Sequence, residues 1–325
     1  MANPKSTRLV QTYKHTSPGI ACRFDPTGNY LFVSSQDNAI QRWNLGDGKM
    51  VLFQGHKSWV RGIAFHPAAK TMYSGDYAGK ILAWPIDAAK PQPAKIIDAH
   101  QGWVRAVAVS PDGSLLASAG NDHLVKLWSL PEGKLSREFA GHDCHVYNVC
   151  FHPDGKTLVS ADHKGAVHAW DLASGKIVKS FDASVLAKYD TTFRATIGGI
   201  RSMTFNADGS LLACAGITGV TNAFAGIGNP IVLLFDYQSG KKIQSLVPSA
   251  SFRGTAWGVE FHPEGFIIGV GGGQGGALWY WKANQNKAFH TVKLPNVARD
   301  LSLHRDGKRL AIPFYDNCAR VYAMS

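Results

Sequence analysis

The sequence predicts an all-β fold built from seven copies of one four-stranded antiparallel unit. Three observations predict it. A turn of the type x-P-D-G or a relative recurs seven times along the 325 residues. An apolar residue precedes each turn, and an aromatic follows at a nearly constant distance. Between these landmarks lie short apolar or β-branched runs bounded by Gly, Asp and Asn, the pattern of strands rather than helices. The turns are DPTG (25–28), HPAA (66–69), SPDG (110–113), HPDG (152–155), NADG (206–209), HPEG (262–265) and HRDG (304–307).

The first strand of each copy ends on Phe24, Phe65, Val109, Phe151, Phe205, Phe261 or Leu303. The turn follows, with Pro supplying a fixed φ and Gly a positive one. The second strand is a run such as SLLASAG (114–120) or KTLVSAD (156–162). The third, such as LVKLWSL (124–130), closes on Trp43, Trp84, Trp128, Trp170, Phe235, Trp281 or Tyr322. From the pre-turn residue to this aromatic is 19 residues in five copies, 20 in the sixth and 30 in the fifth. A repeat this regular does not arise from composition. A second turn family, LGDGK, LPEGK, LASGK and YQSGK, joins the third strand to a fourth as a hairpin.

One such sheet cannot bury both faces alone, so neighbouring copies must stack. The repeat resembles the WD-repeat β-propeller family, with G-H at Gly55-His56 and Gly141-His142 and one literal W-D at Trp170-Asp171. The resemblance implies one seven-bladed propeller domain spanning residues 1–325. It also implies closure by an N-terminal strand: TRLVQTYKH matches the fourth-strand segments GKMVLFQGH and GKLSREFAGH, while the chain stops after the third strand of repeat seven. Closure removes the open sheet edges that invite aggregation.

Composition excludes several classes. An apolar share of 45% with only 18% charged residues is incompatible with wholesale disorder. The 34 glycines follow no three-residue period, so the chain is not collagen-like. No apolar run approaches the roughly 20 residues of a membrane-spanning helix, and no secretory h-region opens the chain. Five cysteines without CxxC spacing read as free thiols in a reducing compartment. The expectation is an intracellular, cytoplasmic protein, with the nucleus also open, monomeric on its own and without membrane contact.

Thirteen histidines invite a metal or catalytic reading. His66, His152, His262 and His304 open the x-P-D-G turns. His15, His56, His100 and His142 sit nine residues before the pre-turn residue, where the family resemblance implies a buried network with Ser, Asp and Trp. Blade three carries the whole set, His100, Ser118, Asp122 and Trp128, and buried polar groups need such partners. Blade one has Val33 in place of the serine. Blades two and four keep Ser74 and Ser160 but place Asp76 and Asp162 two residues early, which reads as a departure. Blades five to seven lack the histidine. HDCH (142–145) has no second ligand pair at zinc-like spacing. GVGGGQGG (269–276) lacks the G-K-[ST] of a phosphate loop and reads as a flexible hairpin loop. No nucleophile–base motif appears. Neither a metal nor a cofactor is expected, nor an enzymatic role.

Candidate function lies where the copies differ. Four residues before the pre-turn residue stand Ile20, Arg61, Arg105, Tyr147, Arg201, Trp257 and Arg299. Two residues earlier stand Pro18, Trp59, Trp103, His145, Gly199, Thr255 and Val297. The resemblance implies that the first column lines the upper mouth of the central channel and the second its rim. Four arginines would then meet at one opening among Trp59, Trp103, Trp257, Tyr147 and His145. Guanidinium forks match carboxylates and phosphates, and Trp, Tyr and Arg are common interface anchors. Two outcomes are open: an anion-binding mouth, or arginines neutralised internally by Asp76, Asp162 and Asp300. Insertions at 182–198 and 217–230 are expected on the same face.

These residues suit a non-enzymatic scaffold that takes an acidic or phosphorylated segment of a protein partner. The net charge of +11 also suits a nucleic-acid or other polyanion binder, although the basic residues are not concentrated in one run. An enzyme with a small anionic substrate would need a base or nucleophile that the sequence does not offer.

Overall fold

The computed structural model describes residues 1–68, 70–222 and 226–325. Seven four-stranded antiparallel sheets, each in sequential strand order from the channel outward, form the blades. Blade one is Gly19–Phe24, Tyr30–Ser35, Ile40–Asn44 and Met50–Phe53, and the next five repeat that order. In blade seven the innermost three strands are Ser302–Leu303, Arg309–Pro313 and Cys318–Ala323, and the outermost is the N-terminal strand Arg8–Lys14. Arg8 pairs with Ala323 and Lys14 with Cys318, so the two ends of the chain share one sheet. The innermost strands touch in succession around the ring, and that of blade one meets blade seven. Among the described residues no helix is long and apolar enough to cross a membrane.

Apolar faces of neighbouring blades form the core. Phe32, Phe53 and Trp84 interlock between blades one and two, and Trp279 and Trp281 between blades five and six. The turn histidines add a polar lock that spacing alone did not disclose. The Nε2 atoms of His152, His262 and His304 donate to the carbonyls of Gly209, Gly307 and Gly28, each in the turn of the next blade. Gly209 needs φ of +75°, and a Cβ there would stand 2.3 Å from His152 Nε2. The turn glycine therefore serves both conformation and clearance. In the HPAA turn, Ala69 lies outside the described residues.

The expected network of blade three is present. His100 bonds through Nε2 to Ser118 and through Nδ1 to Asp122, and Trp128 donates to the same serine. Blades two and four correct the sequence reading, because their aspartates are not misplaced. His56 reaches Ser74 and Asp76 at 2.6 and 2.8 Å, with Trp84 on the serine. His142, Ser160, Asp162 and Trp170 repeat it. Two residues after the serine is the direct position for the carboxylate. In blade three that position is Gly120, whose missing side chain lets Asp122 reach in from the turn. Blade one has no serine at this position and bonds His15 to Asp37 at 2.6 Å instead.

The Gly-rich segment is a second correction. Residues 269–276 belong to the paired strands Phe266–Gly273 and Gly275–Lys282, not to a loop, and Gln274 makes the turn. A Cβ at Gly269 or Gly271 would stand 2.5 Å from Trp281 or 2.3 Å from Trp279, so glycine admits the indole rings. The described residues of the insertions are likewise paired into strands or turns. Residues 182–198 carry a 3-10 turn, Ser184–Leu186, and a hairpin of Ala187–Asp190 with Ala195–Gly198. The 217–230 insertion lengthens two strands to Leu211–Asn222 and Ile227–Asp236, and its residues 223–225 lie outside the described ones.

Burial raises the pKa of the Asp162 carboxyl, but hydrogen bonds from His142 and the amides of Ala166 and Lys164 outweigh it, leaving the pKa below the ordinary 3.8. A depressed carboxylate stabilises the fold above its unfolded pKa and stops doing so as pH falls through the folded value. Asp162→Asn should therefore cost about 2 kcal/mol at pH 7, the scale of a buried bond to a charged group. In urea unfolding, the gap between wild type and variant should narrow from about pH 4 downward.

Candidate functional site

Each innermost strand of blades one to six carries a one-residue register shift. The pairing jumps from Val60 to Gly62, from Val104 to Ala106, from Val146 to Asn148, from Ile200 to Ser202, from Ala256 to Gly258 and from Gly19 to Ala21. The skipped residues are Arg61, Arg105, Tyr147, Arg201, Trp257 and Ile20, the first column of the sequence alignment. A bulge frees a residue from the ladder and re-aims its side chain, which is why this column faces the opening.

The side chains converge on a cavity of about 230 Å³ at the channel mouth. Arg61, Arg105, Arg201, Arg299, Tyr147, Trp257 and Trp59 line it. Trp103 and His145 are not part of this lining. The Trp103 ring lies 4.2 Å from the Arg105 guanidinium, and His145 neighbours His123 at 5.4 Å. Trp59 and Trp103 are about two-fifths exposed, enough to offer a ring face to a partner.

Tyr77, Asn121, His163 and Tyr315 escaped the sequence reading. They belong to a third column, twelve residues after the pre-turn residue, whose amide bonds to the carbonyl of a rim residue: Tyr77 to Trp59, Asn121 to Trp103, His163 to His145, Tyr315 to Val297. The regular spacing contains that column, but nothing in it marks contact with the arginines. Tyr77 stacks on Trp103 at 3.9 Å, and Asn121 accepts a 2.8 Å bond from Arg105 Nε.

The internal counter-charges proposed from sequence have other partners, although Asp300 and its partner Arg23 also line the cavity. Asp76 and Asp162 hold His56 and His142, and Asp300 pairs with Arg23 at 2.6 Å. Among the described residues none of the four mouth arginines makes an ion pair. They are held by aromatic faces instead. Arg105 lies 4.2 Å from Tyr147, while Arg201, Arg299 and Arg61 surround Trp257 at 5.1, 5.2 and 5.8 Å. Such contacts contribute about 0.5–2 kcal/mol each, depending on desolvation. They do not cancel charge.

The titration behaviour agrees with a cationic mouth. Burial lowers the pKa of Arg201, with Arg61 and Arg105 adding to it against Tyr147, and burial lowers Arg299 with help from Arg61. His163 is pulled down to about 4 by burial and then Arg201, against its bond to the Gly198 carbonyl, so it is neutral at pH 7. Deeper in, burial lifts Glu260 to about 7 although Arg23 opposes it. Arg201 Nη2 donates to the Gly198 carbonyl at 2.8 Å, but its Nε is buried without a hydrogen-bond partner. A buried donor without a partner is rare in folded proteins, and here it belongs to one of the mouth arginines.

His142 is committed to its blade, and no group of three or more His, Cys, Asp or Glu side chains among the described residues is arranged to hold a metal.

A bulged seven-bladed ring with this repeat defines a class of protein. The family model for the WD domain, G-beta repeat, matches residues 7–44, 49–84, 91–129 and 133–171, and the chain belongs to the WD-repeat β-propellers. Among curated proteins it is similar to nuclear distribution protein PAC1 of Yarrowia lipolytica, at 29% identity over 37% of this chain and 29% of that protein. It is also similar to a lissencephaly-1 homolog of Caenorhabditis briggsae, at 42% identity over 15% of this chain and 14% of that one. Target of rapamycin complex subunit wat1 of Schizosaccharomyces pombe matches at 24% over 39% and 41%. These matches span less than half the length of each relative. Proteins of this family are in general non-enzymatic interaction scaffolds.

Removing one unneutralised, half-orphaned cation should stabilise the ring. Arg201→Met is expected to raise the melting temperature at low salt by about 1–2 °C, the effect of about 1 kcal/mol in a domain of this size, with the gain shrinking as salt screens the repulsion. Calorimetry at two ionic strengths checks it.

Proposed function

We propose that this propeller is a non-enzymatic scaffold whose channel mouth binds an acidic or phosphorylated segment of a partner protein. The observation that carries this reading is four guanidinium groups around one opening, braced by aromatic rings and without a carboxylate partner among the described residues. Their mutual repulsion persists until an anion enters, so the ligand supplies the counter-charge that the fold withholds. Arginine forks accept a carboxylate or phosphate in a bidentate geometry, and the half-exposed Trp59 and Trp103 provide the flat apolar contacts typical of interface anchors. The ring acts as one domain, residues 1–325, monomeric by itself and working in the cytoplasm.

A fluorescein-labelled peptide of alternating Glu and Ser, titrated by anisotropy, tests this. Wild-type protein should bind it with 1:1 stoichiometry. Arg105→Gln with Arg201→Gln should weaken binding at least about 100-fold, two charge-assisted bonds lost, while the circular dichroism spectrum stays unchanged. Trp103→Ala should cost less. Undiminished binding by the double variant overturns the reading. Affinity that climbs with the length of a nucleic acid or polyglutamate chain, with a steep salt slope, favours polyanion binding over the discrete site.

A further inference from the structure

A second cavity, of about 280 Å³, opens beside the mouth between blades five, six and seven. It shares Arg201, Trp257 and Arg299 with the mouth, so the two spaces meet at those side chains. Its remaining walls are Tyr315, several glycines, Thr255 and an aliphatic stretch. Ile217 and Val220 come from the lengthened strand of blade five, and Val297 from the approach to blade seven. Thr255 also faces it, and its hydroxyl donates a 3.0 Å bond to the Gly226 carbonyl. The blade-five insertion therefore builds an apolar wall next to two of the unneutralised guanidiniums, one of which carries the orphaned Nε.

Resting on the reading above, we propose that this annex takes an aliphatic side chain adjacent to the ligand's anionic group, making the site selective for an acidic residue beside an apolar one. Arg201 and Arg299 hold the anion at the boundary, and the neighbouring side chain enters the annex. An internal Glu, Asp or phosphorylated residue followed by an aliphatic residue has this chemistry. So does a free C-terminal carboxylate on an aliphatic last residue.

Four fluorescein-labelled octapeptides distinguish these sources. One pair places Leu or Ala beside a single Glu in an amidated chain, and the other ends in Leu or Ala with a free carboxylate. The Leu peptide should bind about tenfold or more tightly than its Ala counterpart in at least one pair, the scale of burying the extra methylenes. The pair that discriminates identifies the source of the anion. Val297→Phe, which fills the annex, should bring the Leu-to-Ala ratio to about one, as should Val220→Asn, which places an amide in its wall. Melting curves establish that both variants fold. Equal binding of Leu and Ala peptides in both pairs overturns the annex, and so does a ratio that survives both variants in folded protein. If equal binding is still lost in the Arg105→Gln, Arg201→Gln protein, the mouth reading stands without the annex. If no acidic peptide binds wild type, both fall.

Discussion

Closure of the ring is the constraint on which everything else depends. Seven blades present seven inner strands to a common axis only if the last blade meets the first, and here the pairing of Arg8–Lys14 with Cys318–Ala323 completes that blade. No covalent bond is involved. The sheet ladder, the apolar faces between blades and the histidine bonds from turn to turn carry the load together. Because opening the ring exposes a blade face and unpairs a strand edge, partial opening is costly, and the channel mouth is held as a rigid frame.

That frame sustains an arrangement that a looser structure would relax. Arg61, Arg105 and Arg201 each sit on a bulge held by the ladder on both sides, and the guanidiniums of Arg105 and Arg201 stack against Tyr147 and Trp257 of the next blade, which limits how far they can move apart. The carboxylates that could neutralise them are occupied in the histidine networks or with Arg23. The fold thus spends its buried acids on blade stability and leaves the mouth cationic, a local cost of the kind that accompanies binding sites.

Much of the fold was legible in residues, and the misses have physical causes. Turn-to-aromatic spacing disclosed seven blades because each strand and turn obeys local backbone rules. Asp76 and Asp162 looked displaced because linear spacing from the serine hides which residue is opposite the histidine across the sheet. Gly269 and Gly271 looked like loop residues because composition cannot reveal an indole packed on them from a neighbouring strand. The Arg and Trp columns were visible once the copies were aligned, whereas Tyr77, Asn121 and His163 were not, since Tyr77 and His163 act by contacts between adjacent blades and Asn121 by a side-chain bond to Arg105 across its own blade.

The sequence by itself determined the repeat, the strand order within each blade, the segment that closes the ring and the ring position shared by Arg61, Arg105, Arg201 and Arg299. These follow from local patterning, which a single chain carries in full. Only the tertiary structure decided the fate of the aspartates, and with it whether the mouth was neutralised. Ion pairing depends on distances of a few ångströms between residues far apart in the chain, which periodicity does not encode. The apolar annex beside Arg201 is likewise a product of blades five, six and seven meeting, present in none of them alone.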